Sequence, residues 1–170
     1  GATGLRLLSL SAETSPVFGR PYMVASGNFS SCLWVDYDHD YDLDLMAIGI
    51  NQVLLRNNGD GTFANVSETF PFVQGVGLSA IGLELWENNS SNIVAVYKDK
   101  IVVYEDLKLG RFRSETLDRS SRGKQPVRMK VVDVNHDGFL DVTITNKIGT
   151  LVLENVKKVG AQVSLNFFSE

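Results

Sequence analysis

A chain of 170 residues with 44% apolar content is long enough for one domain with a packed core, and too hydrophobic for a disordered tail. Its net charge of -4 comes without a basic stripe, which argues against a polynucleotide partner, and no window approaches the roughly 18 consecutive apolar residues of a membrane span. The single cysteine, Cys32, excludes an internal disulfide and, within Cys-Leu-Trp-Val, reads as a buried small hydrophobe.

The opening Gly-Ala-Thr-Gly has neither a basic start nor a hydrophobic signal core and reads as a processed or cut end. Residues 1–30 then hold one clear apolar run, Leu5 to Leu10, a turn-rich stretch from Ser15 to Pro21, and a shorter apolar segment from Tyr22 to Ala25, so one strand and a shorter second are expected. From Ser31 the texture becomes a regular alternation of short apolar runs and polar turns. Cys32 to Asp36 leads into an acidic loop, Leu45 to Ile50 leaves it, and Val53 to Arg56 follows a two-residue break. Asn57-Asn-Gly-Asp-Gly-Thr-Phe63 is a hairpin signal, because Gly59 and Gly61 can take the positive backbone angles such turns need.

The acidic loop runs Val35-Asp-Tyr-Asp-His-Asp-Tyr-Asp-Leu-Asp-Leu45, with five carboxylates on alternate residues. Like charges packed that densely repel one another unless a cation sits among them, and hard oxygen ligands favour calcium over zinc or copper. A second loop, Asp133-Val-Asn-His-Asp-Gly-Phe-Leu-Asp141, puts Asp133, Asn135, Asp137 and Asp141 at the offsets of Asp36, Asp38, Asp40 and Asp44. An EF-hand would need a Glu at the twelfth loop position, and that position holds Ala47 in one loop and Ile144 in the other. His39 and His136 share the fourth position, and are expected to face solvent.

The two loops belong to a longer repeat. Displaced by 48 residues, Asn92 to Tyr97 falls under Asp44 to Gly49 and Ile101 to Tyr104 under Val53 to Arg56; a further 49 brings Asp141 to Thr145 and Leu151 to Glu154. Leu107 to Phe112 matches the earlier hairpin turn with one residue inserted. Repeats of about 40 to 50 residues with four short strands each imply an all-β fold of β-propeller blades. The expected layout is a partial N-terminal blade at 1–30, blades with acidic loops at 31–78 and 127–170, and between them, at 79–126, a degenerate blade. There Glu84, Trp86, Asn88 and Asn92 replace the ligand positions, and Trp cannot coordinate.

Trp34 to Leu45, followed by Leu54-Leu-Arg-Asn-Asn-Gly-Asp-Gly-Thr-Phe63, resembles an FG-GAP/VCBS repeat, as found in integrin-alpha-like propellers and, in bacteria, beside ASPIC/UnbV or tetratricopeptide segments. The resemblance spans residues 31–156. It implies calcium held by side-chain oxygens at loop positions one, three, five and nine and a backbone carbonyl at seven: Asp36, Asp38, Asp40 and Asp44 with the Asp42 carbonyl, then Asp133, Asn135, Asp137 and Asp141 with the Phe139 carbonyl. The sixth position, usually Gly, is Gly138 in one loop and Tyr41 in the other.

The expected function is a non-enzymatic, calcium-stabilised module for protein or glycan interaction or adhesion, at an extracellular, periplasmic or cell-surface location. The alternatives are a propeller enzyme acting on polysaccharide, with Glu84 and Glu87 as its carboxylates, and a structural spacer in a larger surface protein. No Gly-x-Ser-x-Gly elbow, phosphate loop or His-Glu-x-x-His helix is present. Open blade edges would favour self-association. Trp34 and Trp86 read as core rather than as a sugar platform. The tripeptides at Asn28, Asn65, Asn88 and Asn89 fit the glycosylation pattern.

Overall fold

The structure, a computed structural model, describes residues 3–9, 19–83, 90–118, 128–147, 149–155 and 165–169. It is all-β. A two-stranded sheet pairs β1 (Gly4–Leu7) with β2 (Tyr22–Ser26). Three four-stranded antiparallel sheets follow, each a meander in chain order. The first contains β3 (Phe29–Val35), β4 (Asp44–Gly49), β5 (Gln52–Asn57) and β6 (Phe63–Asn65). The second contains β7 (Gly77–Leu83), β8 (Asn92–Tyr97), β9 (Ile101–Asp106) and β10 (Phe112–Asp118). The third contains β11 (Arg128–Val132), β12 (Asp141–Asn146), β13 (Gly149–Asn155) and β14 (Leu165–Ser169). None of the sheets closes on itself. Residues 84–89 lie outside the described residues, and with them Glu84, Trp86, Glu87, Asn88 and Asn89.

The sheets stack face to face in chain order, which explains why β4 and β8 are apolar on both sides. Successive side chains of a strand point to opposite faces, so a strand buried on both reads as a continuous hydrophobic run. On one face of the first sheet Leu45, Ala47, Val53 and Leu55 meet Leu5, Leu7, Val24 and Ala25 of the two-stranded sheet. On the other, Met46, Ile48 and Leu54 meet Ile93, Ala95, Tyr97, Val102 and Tyr104. The far face of the second sheet, with Val94, Val96, Ile101 and Val103, meets Val142, Ile144, Leu151 and Leu153. Each such fully buried aliphatic side chain contributes about 1.5–3 kcal/mol. Between the first two sheets the Tyr97 hydroxyl donates to Gln52 Oε1 at 2.8 Å and lies 2.6 Å from the Tyr104 hydroxyl, which accepts the Val73 N–H. These buried polar groups are therefore partnered, as their burial requires.

The sequence pattern does not announce β7, Gly-Leu-Ser-Ala-Ile-Gly-Leu, because its small residues dilute the apolar run. Its surroundings account for them. β7 stands beside β3 and β11, the first strands of the adjacent sheets. A Cβ on Gly77 would sit 2.8 Å from the Ile48 side chain, and the Ala80 N–H reaches Ser31 Oγ at 3.2 Å.

Cys32 is exposed, contrary to the buried reading. It and Trp34 pair across the sheet with Ala47 and Leu45, and so share their face. The two-stranded cover lies over β4 and β5 and packs with Phe29 at the start of β3, but leaves Cys32 exposed and Trp34 48% exposed against the Phe63 ring. The thiol is expected to react stoichiometrically with a water-soluble thiol reagent in native buffer, and a requirement for denaturant would contradict this placement.

Candidate metal centre

Both acidic loops join the first strand of a sheet to the second, β3 to β4 and β11 to β12, with strands on both flanks. Their backbones follow the same path. The fourth and sixth positions are left-handed in each, His39 at φ 64° and Tyr41 at 73°, His136 at 60° and Gly138 at 89°. For Gly138 that conformation is free, whereas for Tyr41 the Cβ makes it cost about 1–2 kcal/mol. Tyr41 is 97% exposed, so its ring packs on little. Tyr41→Gly is expected to raise stability by about 1 kcal/mol in a urea titration, and an unchanged or lowered midpoint would mean the strain is not there.

At the base of each loop a buried aspartate ties the turn to the third strand. Asp44 Oδ2 accepts the Tyr37 N–H at 3.0 Å and Oδ1 accepts the Asn57 N–H at 2.8 Å. Asp141 does the same with Val134 at 2.9 Å and Asn155 at 2.8 Å. In the middle repeat Asn92 Oδ1 accepts the Asp106 N–H at 3.0 Å, so an amide fills the role where the acidic loop is missing.

The other carboxylates differ between the loops. In the first, ligand atoms of Asp36, Asp38 and Asp40 all lie within 4.8 Å of one another, a grouping able to hold a metal ion. Asp36 Oδ1, Asp38 Oδ1 and Asp42 Oδ1 are shielded from solvent with no hydrogen-bond partner. Shielded carboxylate oxygens without donors are costly, and a cation is what would satisfy them. Burial, then the charges of Asp40 and Asp36, hold the Asp38 carboxyl above the usual range, with Arg56 opposing. Asp42 is raised for the same reasons, so its side chain, and not only its carbonyl, belongs to the charged cluster.

In the second loop the corresponding groups satisfy one another. Asp133 accepts the N–H groups of Asp137 and Gly138, at 3.2 and 3.0 Å. Asn135 Nδ2 donates to Asp137 Oδ2 at 3.0 Å, and Phe139 N–H to Asp137 Oδ1 at 2.9 Å. The third position accounts for one of these bonds: Asn135 has an amide to donate, whereas Asp38 can only accept. The bond to the fifth position is common to both loops, the Asp42 N–H donating to Asp40 Oδ1 at 3.1 Å. Among the described residues, only the first loop forms a cluster of three ligand-bearing acids.

His39 does not face solvent as the sequence reading expects. Its Nε2 donates to the fully buried Asp106 Oδ2 of the second sheet at 2.7 Å. His136 is exposed. Asp106 was not singled out from the sequence, although a signal exists: 49 residues separate it from both Asn57 and Asn155, and it is the acid where those repeats carry an amide. The chain matches no family model, no curated protein and no solved structure.

Proposed function

We propose that the chain is a calcium-stabilised, non-enzymatic interaction module built from consecutive blades of an FG-GAP/VCBS-type propeller, with β1 and β2 as a partial blade. The observation that carries the reading is the set of three shielded, donorless carboxylate oxygens on Asp36, Asp38 and Asp42, in a loop where Asp36, Asp38 and Asp40 converge. Face-to-face stacking of repeated meanders, with the first strands side by side, supports the propeller geometry. The all-oxygen donor set fits a hard divalent cation, which would offset the repulsion among these acids. Asp36, Asp38, Asp40 and Asp44, with the Asp42 carbonyl, hold the ion in the first loop, and Asp133, Asn135, Asp137 and Asp141, with the Phe139 carbonyl, in the second. The first site is the tighter, because ions entering the second must displace existing hydrogen bonds. A surface-displayed or secreted setting suits it, where calcium is millimolar and loop sites of modest affinity fill. The partner on the loop face is a protein or a glycan. Calorimetric titration with calcium tests the reading: wild type binds, Asp38→Ala loses the tighter site and Asp137→Ala the weaker. Absence of binding at millimolar calcium refutes it.

The site also sets a pH dependence. Burial raises the Asp44 carboxyl to about 6, against the pull of its two N–H donors, and the Asp38 and Asp40 charges add to the rise. A carboxyl raised in the folded state favours folding while protonated. Without calcium, that stability is full below the ordinary value of 3.8 and is lost as pH climbs through about 6. Asp106 is held below its usual range, its burial outweighed by the N–H groups of Ser91 and Lys108 and by His39, so its contribution is already in place well above the ordinary value of 3.8 and changes little between pH 5 and pH 7. Calcium requires ionised ligands, so its stabilisation runs the other way and grows above about 6. The difference in Tm between calcium and chelator should therefore widen from pH 5 to pH 7; a constant difference would contradict the ligand set.

A further inference from the structure

The degenerate middle repeat places a turn against the first acidic loop at two points. Asp106, at the end of β9, accepts the His39 Nε2–H of that loop at 2.7 Å, and the carboxylate has no exposed surface. Gly110, in the following turn, sits so close that a Cβ there would be 3.2 Å from the Tyr37 ring and 3.5 Å from Asp38 Cβ. The turn is shaped for this contact. Lys108, Leu109 and Gly110 are consecutively left-handed, at φ 70°, 56° and 70°, a conformation that two non-glycine residues adopt only under constraint. The constraint is visible: Asp106 Oδ1 accepts the Lys108 N–H at 2.7 Å, Oδ2 accepts the Ser91 N–H at 2.8 Å, and Lys108 Nζ stands 3.7 Å from Oδ2. The corresponding positions of the outer repeats, Asn57 and Asn155, carry no such charge.

We infer that Asp106 is a positioning residue for the cation site of the preceding loop, acting through His39. His39 lies between Asp38 and Asp40, in a left-handed conformation. A buried carboxylate from the next sheet holds its ring, so the three acids are presented together before the ion arrives. Ligand-orienting partners of this kind typically change metal affinity 10- to 100-fold. By reciprocity, an ion in the loop tightens the docking of the second sheet on the first. The repeat without an acidic loop thus serves the site of its neighbour. This inference rests on the cation reading proposed above.

The test is calcium affinity by calorimetry, in the Asp137→Ala background so that the first loop alone reports. Asp106→Asn keeps the residue type found at Asn57 and Asn155, and His39→Asn keeps a side chain that tolerates the left-handed backbone but is too short to reach Asp106. Each should weaken binding about tenfold, the double variant no more than either alone, and His39→Gln, which restores an N–H donor at similar reach, should recover most of the loss. A purely structural link would lower Tm in chelator while leaving calcium affinity unchanged in both variants, and that result overturns the inference. Failure of the parent protein to bind calcium overturns the cation reading itself and this inference with it.

Discussion

Calcium at a hundredfold excess over its dissociation constant is expected to stabilise the folded chain by about 2.7 kcal/mol, a rise in Tm of roughly 5–10 °C for a domain of this size. The effect follows from the folded state alone presenting Asp36, Asp38 and Asp40 within 4.8 Å of one another, since an unfolded chain spreads them. The same geometry makes a sharper expectation. Asp38 is held above its usual range by burial and by its acidic neighbours, so its ionised form opposes folding when no cation is present. Asp38→Ala keeps the Cβ that Gly110 packs against and removes the charge. The variant should therefore melt above wild type in chelator and below it in calcium. Thermal scans of both proteins under both conditions decide the matter, and two curves that shift in parallel would remove the grounds for a cation in this loop.

Asp141→Ala is expected to cost about 3 kcal/mol even without any ion. Asp141 is fully buried, and its two oxygens accept the N–H groups of Val134 and Asn155. Truncation leaves both donors without their acceptor, and an unmade buried hydrogen bond costs about 1–3 kcal/mol. Asn92 occupies the same place in the middle repeat and still accepts the N–H of Asp106, the residue matching Asn155. Asp141→Asn should accordingly keep the Asn155 bond, lose the Val134 bond, and cost about 1 kcal/mol. Urea denaturation in chelator measures both. Equal damage from Asn and Ala would show that charge, not hydrogen bonding, matters there. The ninth loop position thus has a structural duty separate from metal binding, which its presence in a ligand pattern conceals.

The strands were legible wherever burial on two faces leaves an uninterrupted apolar run, as in Leu45 to Gly49, Asn92 to Tyr97 and Ile101 to Tyr104. β7 was not, because close approach to Ile48 and Ser31 selects Gly, Ala and Ser there, and small residues carry no period. Cys32 and Trp34 look like core in a one-dimensional pattern. Their exposure depends on how far the two-stranded sheet reaches across its neighbour, which no local window encodes. In the acidic loops, composition and spacing exposed the candidate ligands but not the difference between the loops, which lies in the backbone N–H groups that Asp133 accepts.

By itself the sequence determined the all-β class, the repeat with its two periods and the gathering of Asp36, Asp38 and Asp40 in one loop, since these follow from alternation, turn chemistry and spacing. Only the tertiary structure decided that Asp36, Asp38 and Asp42 keep shielded oxygens without donors, that Asp133 and Asp137 do not, and that Asp106 grips His39 from 67 residues away. Solvent exclusion and pairing between sheets arise where chain segments distant in sequence meet, and neither is a property of any segment alone.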